Sequence, residues 1–268
     1  MESIEELQKI VAKSKKSHFA PRHDIFVRKV SIYVTWFLLQ TPLSANAVTI
    51  LQTLVGVAGA FFLCSQSLAW GFFGIILMQF GYILDCCDGE IARYRKQSSV
   101  NGVFLDLLGH EIVIPAMYMG LAIGEFQRNP DVALLILGFS AGLFSLRFDI
   151  SAMFQTVNTM FMKSDNPSYN FEALEKQETS RTTELSTSRP SIIRVLFRYP
   201  ESMNVITAIM ILDGIGGWSF VTTFLWVYGV LLPAARVWSI YQMIKNGEVE
   251  KKYREIVNAI LRSENRSE

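Results

Sequence analysis

The chain has 268 residues, of which 50% are hydrophobic and 12% aromatic, with a mean hydropathy of +0.28. Only 18% are charged, against about 25% in a soluble domain, and the charges gather in a few segments, so lipid is part of the solvent. A net charge of +1 gives no reason to expect a nucleic-acid partner.

The first sixteen residues, MESIEELQKIVAKSKK, are charged and lack the apolar stretch of a secretory signal, so the first strong span is expected to direct insertion. Residues 1–23 are read as a cytoplasmic N-terminal segment. Asp24 to Gln40 mixes Arg28 and Lys29 with Ile25, Ile32, Tyr33, Trp36 and Phe37, which suits a helix lying in the membrane interface over 24–41, with a seventh span as the rival reading. Pro42 breaks the chain and Ser44 caps the first true span.

Six apolar segments approach the roughly 20 residues a crossing helix needs. They run Ala45–Cys64, Leu68–Arg93, Val100–Glu125, Val132–Phe154, Ser202–Ile215 (short without its flanks) and Phe220–Ile244, and they place an all-α membrane domain over 42–245. The polar stretch Lys163–Arg189 lies in a cytoplasmic loop at about 157–199, and 246–268 forms a cytoplasmic tail with a helix over Glu248–Arg262. With the N-terminus inside, the basic segments Lys13–Lys16, Arg93–Lys96, Lys163–Arg198 and Lys245–Arg266 all fall on the cytoplasmic side, and only Arg128 falls outside. Cys86 and Cys87 are adjacent and Cys64 stands apart, so no disulfide framework is expected.

The second span ends Asp85-Cys86-Cys87-Asp88-Gly89-Glu90-Ile91-Ala92-Arg93, and the third opens Gly102-Val103-Phe104-Leu105-Asp106-Leu107-Leu108-Gly109-His110. Helical spacing puts Asp85, Asp88 and Ala92 on one face, and Gly102, Asp106 and His110 on another. The short connector predicts antiparallel neighbours turning near Gln97, with Asp88 level with Asp106 and Asp85 level with His110. Three facing acids repel, and Mg²⁺ or Mn²⁺, as one or two ions, is the simplest remedy. Such ions clamp a pyrophosphate. Gly89 and Ala92 leave room for a nucleotide beside the helix, and Arg93 can pair with phosphate. The bland alternative is that the acids pair with Arg93 and Arg95 to set helix register.

The string Asp-x2-Asp-Gly-x2-Ala-Arg-x8-Gly-x3-Asp, through Asp85, Asp88, Gly89, Ala92, Arg93, Gly102 and Asp106, resembles the signature of the CDP-alcohol phosphotransferase family. Arg28–Tyr33 and Thr41–Thr49 extend the resemblance upstream, so that it covers about Arg28 to Pro115. It implies six transmembrane helices, often as a homodimer, around a cavity open to the cytoplasm, and release of CMP as a phosphoalcohol moves from a CDP-linked donor to an acceptor hydroxyl. It implies Asp85, Asp88 and Asp106 as metal ligands, and Gly89, Ala92, Arg93, Gly102, Asn46 and Thr49 at the CDP site. The family pattern closes on another acid, a ligand and the base for the acceptor; here that position is His110. Imidazole can serve as a base beside Asp106 but binds Mg²⁺ less readily, which predicts an altered metal or acceptor preference.

Arg147 in the fourth span, with Asp149 near it, is a candidate either for an anionic group of donor or acceptor or for pairing with an acid of the bundle. Arg236 reads as snorkelling to the interface in preference to reaching the same cavity, Asp213 as structural, and Arg194 and Arg198 as positive-inside charges in preference to substrate contacts. Donors are expected to be CDP- or CMP-linked, and acceptors a lipid, small alcohol or glycan, in phospholipid or phosphonate headgroup synthesis. The rival classes are a secondary transporter or cation carrier, which would show repeated halves, and an inactive member of the family.

Overall fold

The computed structural model describes residues 22–97, 99–146, 199–216 and 219–251, with positions 4, 7, 8 and 254, and among these the chain is helical with no strand. The helices are α1 (Arg22–Leu38), α2 (Ala45–Leu63), α3 (Leu68–Tyr94), α4 (Val100–Arg128), α5 (Val132–Ser145), α6 (Glu201–Ile215) and α7 (Phe220–Lys245). Of the six expected spans, α2, α3, α4 and α7 are long and apolar enough to cross a membrane. α6 has 15 residues, about 22 Å of rise, and α5 has 14 as far as Ser145. The remainder of the expected fourth span, to Phe154, lies outside the described residues, as does most of the 157–199 loop.

Large apolar side chains cover the outside of the bundle, among them Leu54, Phe61, Ile76, Ile136, Trp226 and Val230. Others are buried inside, among them Met78, Met117, Leu121, Met203, Ile206 and Met210. Helices apolar on both inner and outer faces belong in lipid, and the protein is an integral membrane protein.

The spans carrying the two halves of the motif were expected to lie side by side. Instead α2 packs along both α3 and α4, which touch each other only briefly. Missing side chains make this possible. A Cβ on Gly59 of α2 would sit 2.5 Å from Met78 Cγ and 2.7 Å from the Gly74 carbonyl oxygen of α3. On the other flank, Gly120 and Gly124 of α4 lie against the carbonyls of Ala60 and Leu63 too closely for any Cβ. In a membrane such close backbone approach supplies the dispersion contacts that drive helix association.

Each turn of the bundle has its own stop signal. α3 ends as the Gln97 amide reaches back to the Ala92 carbonyl at 2.8 Å and Lys96 takes a left-handed φ of 53°. Ser99 then caps α4, its hydroxyl accepting from the Gly102 amide at 3.0 Å, so the chain reverses close to the expected position. At the opposite end Asp213 accepts from the Phe220 amide at 2.5 Å at the start of α7. Buried Glu125 pairs with Arg128 at 2.7 Å and accepts from Ser219 and Thr222. Arg236, expected to snorkel, donates through Nε to the Phe144 carbonyl at 3.2 Å near the end of α5, because carbonyls in a helix's last turn lack intrahelical donors.

Gly74→Ala should therefore destabilise the bundle by about 1–3 kcal/mol, since its Cβ would fall 2.6 Å from the Gly59 carbonyl oxygen. Gly214→Ala, with nothing within 4 Å of its Cβ, should be neutral or better. Thermal unfolding in detergent compares the two.

Candidate active site

The wedge formed by α2 sets the shape of the site. α3 and α4 are tied at one end by the 95–99 reversal and held apart by α2 elsewhere, which leaves a cleft with α2 as its floor. Asp85 stands on the α3 wall, and Asp106 and His110 stand one turn apart on the α4 wall. His110 Nε2 lies 3.3 Å from Asp85 Oδ1 and 3.5 Å from Asp106 Oδ1. One ligand atom from each of the three lies within 4.8 Å of the others. Around an ion with bonds of about 2.1 Å, adjacent ligand atoms are about 3 Å apart and opposite ones about 4.2 Å, so the spacing fits a single divalent cation. His110 and Asp85 are largely buried, whereas the Asp106 side chain is 43% exposed and opens the group to one side.

Asp88, the third expected ligand on α3, is outside this group of three. It is 8% exposed, and its Oδ2 accepts from the Thr49 hydroxyl of α2 at 2.6 Å. It remains within electrostatic reach of both Asp85 and Asp106. Thr49, expected at the nucleotide, is 3% exposed and holds Asp88 instead of facing open space. Gly102 and Asn46 do adjoin one another: a Cβ on Gly102 would lie 3.1 Å from Asn46 Oδ1. Gly89 leaves room for Arg93, whose Nη1 would be 3.0 Å from a Cβ there. The Arg93 Nε is buried without a hydrogen-bond partner, a donor suited to an anion. Ala92 packs in part against the apolar group of Ala45, Val48 and Ile91. Arg147 lies outside the described residues, as do Asp149, Arg194 and Arg198.

The alternative pairing of Arg95 with the acids gives way to another role. Its guanidinium donates to the carbonyls of Leu43 (2.6 Å), Thr41 (3.0 Å) and Leu39 (3.4 Å), clasping the link between α1 and α2. Within the motif, Glu90 holds α1 in place. It is 2% exposed and accepts from Ser31 at 2.8 Å and Thr35 at 2.7 Å. Glu90 lies on the opposite side of α3 from the cleft, and neither periodicity nor resemblance had singled it out.

Two further groups escaped the sequence. Gln52 and Thr53 continue the polar face of Asn46 and Thr49 along α2, and both would meet a Cβ on Gly109 (at 3.0 Å and 2.5 Å). The three- and four-residue spacing from Thr49 was the available signal. Tyr199, just before α6, lays its ring against His110 at 5.4 Å between centroids. It is 89 residues further along the chain, and no local pattern marks it.

Residues 42–167 match the family model described as CDP-alcohol phosphatidyltransferase. The matched stretch, a little under half of the chain, resembles that family. The CDP-alcohol phosphatidyltransferase match contains every motif residue from Asn46 to His110. A 91-residue stretch is 36% identical to the bifunctional IPC transferase and DIPP synthase of Rubrobacter xylanophilus, which is 34% of this chain and 20% of that protein. The chain thus spans about one fifth of the length of the curated relative it matches. Among solved structures, the phosphatidylinositol phosphate synthase PgsA1 of Mycobacterium tuberculosis with CDP-DAG bound aligns with a TM-score of 0.51 at 21% identity, over 80% of this chain and 94% of that one. The same synthase in complex with manganese and citrate aligns with a TM-score of 0.51 at 21% identity, over 79% and 88%. At that identity the likeness carries the fold.

Glu90→Ala would leave the Ser31 and Thr35 hydroxyls buried without their acceptor. A loss of about 1–3 kcal/mol in stability is expected, with α1 released to limited proteolysis before the rest of the bundle.

Proposed function

We propose that this protein transfers a phosphoalcohol group from a CDP-linked or CMP-linked donor to an acceptor hydroxyl, releasing CMP. The convergence of Asp85, Asp106 and His110 within 4.8 Å carries the reading, and the buried, unpartnered Nε of Arg93 on the same helix as Asp85 supports it. Asp85, Asp106 and His110 would hold a divalent cation, with Asp88 next to them, and the ion would neutralise pyrophosphate charge and polarise the phosphorus under attack. The two oxygens and one nitrogen of this set suit Mn²⁺ better than Mg²⁺.

The protein's own groups supply the rest. Arg93 binds a phosphate oxygen of the donor. Gly89 and Gly102 keep the walls low enough for the nucleotide to lie between α3 and α4, with Asn46 at its edge. Thr49 keeps Asp88 oriented by donating to it. The acceptor oxygen attacks the donor phosphorus distal to cytidine, and the bond from that phosphorus to the bridging oxygen breaks. CMP leaves with the electron pair, and the acceptor's proton passes to His110 or Asp106. We place the site and both termini on the cytoplasmic side because the Lys- and Arg-rich segments gather there. The acceptor is a lipid, small alcohol or glycan hydroxyl in headgroup synthesis, and the working unit is a homodimer, as the family resemblance implies.

The test is CMP release by the full chain in lipid, with Mg²⁺ or Mn²⁺, from CDP-diacylglycerol and from CDP- and CMP-linked small headgroups in parallel. One donor should release CMP in a chelator-sensitive way. Asp88→Asn and Asp106→Asn should each lower turnover by roughly 10²-fold or more while membrane insertion persists, and near-parental rates in either would refute the assignment. His110→Asp should move the preferred ion from Mn²⁺ toward Mg²⁺ in the same assay; an unchanged preference would remove His110 from the ligand set.

A further inference from the structure

A carboxylate at position 110 would offer two equivalent oxygens to the cleft. An imidazole offers Nε2 in one direction only, and the torsion that aims it is broad. A histidine there must therefore have its ring plane held, and metal-bound histidines are generally held by groups beyond the ligand set.

Tyr199 is placed to do this. Its ring meets the His110 imidazole at 5.4 Å with 63° between planes, an edge-to-face approach that joins positive ring edge to negative ring face. Behind it, Tyr199 meets Tyr82 of α3 at 5.7 Å and 87°. Tyr82 lies three residues before Asp85 and so on nearly the same face of α3. The aromatic wall thus runs from the acid-bearing wall of the cleft to the imidazole, while the Asp85 and Asp106 carboxylates lie on the Nε2 side at 3.3 Å and 3.5 Å.

The wall is anchored. Tyr199 lies just before α6, and Gln79 of α3 fixes α6 by donating to Asn204 Oδ1 at 3.0 Å and Thr207 Oγ1 at 2.9 Å. Met203, Ile206 and Met210 bury the inner face of α6 in the core. The contact therefore adds a restraint from outside α4 to the one Asp106 gives the ring from the same helix.

We infer that Tyr199 is a positioning residue for His110: with Tyr82 it holds the imidazole plane so that Nε2 faces Asp85 and Asp106, and so sets the affinity of the site for a cation that accepts nitrogen, Mn²⁺ in preference to Mg²⁺. This rests on the reading of Asp85, Asp106 and His110 as a metal site.

The experiment measures Mn²⁺ binding to the full chain in lipid nanodiscs by electron paramagnetic resonance, with Mg²⁺ as competitor and no substrate present. Tyr199→Ala, Tyr199→Leu and Tyr199→Phe are each made in the parent and in the His110→Asp background. Tyr199→Ala should weaken Mn²⁺ binding roughly tenfold in the parent, and Tyr199→Phe should restore it. In the His110→Asp background, Tyr199→Ala should change binding by less than about twofold, because a carboxylate needs no ring orientation. Tyr199→Leu keeps bulk without a π face and replaces the alanine variant if that one fails to fold; it should behave as alanine does. Equal losses in both backgrounds, or parental binding in the alanine and leucine variants, would overturn the inference. A parent that binds no Mn²⁺ at millimolar concentration would overturn it together with the metal site. A parent that binds Mn²⁺ with the expected coupling to Tyr199, yet releases CMP from no donor, would sink the proposed reaction and leave the role of Tyr199 standing.

Discussion

Where Gly59 of α2 faces Gly74 of α3, backbone meets backbone, and the close packing of α2 along α3 depends on that contact. Water drives soluble helices together, but inside a bilayer the lipid tails are as apolar as the side chains, so close fit must provide the attraction. Glycines on α2, α3 and α4 let α2 slide between the two motif helices. Once there, it prevents α3 and α4 from closing on each other, while the short 95–99 reversal keeps their ends together. The result is a polar face of α2, Asn46, Thr49, Gln52 and Thr53, packed between the two motif helices.

The acidic groups of the bundle divide by what satisfies them. Glu90 is held by two hydroxyls of α1, Glu125 by Arg128 and the start of α7, and Asp213 by backbone amides. Each has a protein partner that accounts for its place, and each ties one helix to another. Asp88 is held by Thr49 at the edge of the cleft. Asp85 and Asp106 are the acids whose oxygens converge with His110 across the gap between helices. Together the three form a candidate site for a divalent cation. The same sorting separates the arginines: Arg95 is used by loop carbonyls and Arg128 by Glu125, whereas the Nε of Arg93 is buried with no partner.

The aromatic wall extends the site beyond the motif. α6 is too short to be judged a full crossing by length, yet Gln79 and the buried methionines fix it firmly against α3. In consequence a residue from the far side of the long polar segment stands against the one motif position that departs from the family pattern.

Much of this was legible in the sequence because helical periodicity and membrane thickness are local constraints. They gave α2, α3, α4 and α7 to within a few residues, the reversal near Gln97, and the shared faces of Asp85 with Asp88 and of Asp106 with His110. Spacing along one helix cannot say which other helix lies opposite, so the order of packing, with α2 between the motif helices, belonged to tertiary structure. For the same reason it took the fold to turn Thr49 toward Asp88, to give Glu90 to α1, to bend Arg236 back to Phe144, and to bring Tyr199 against His110. Those contacts join residues 39 to 92 positions apart, far beyond the three- and four-residue spacing that a helix face reveals.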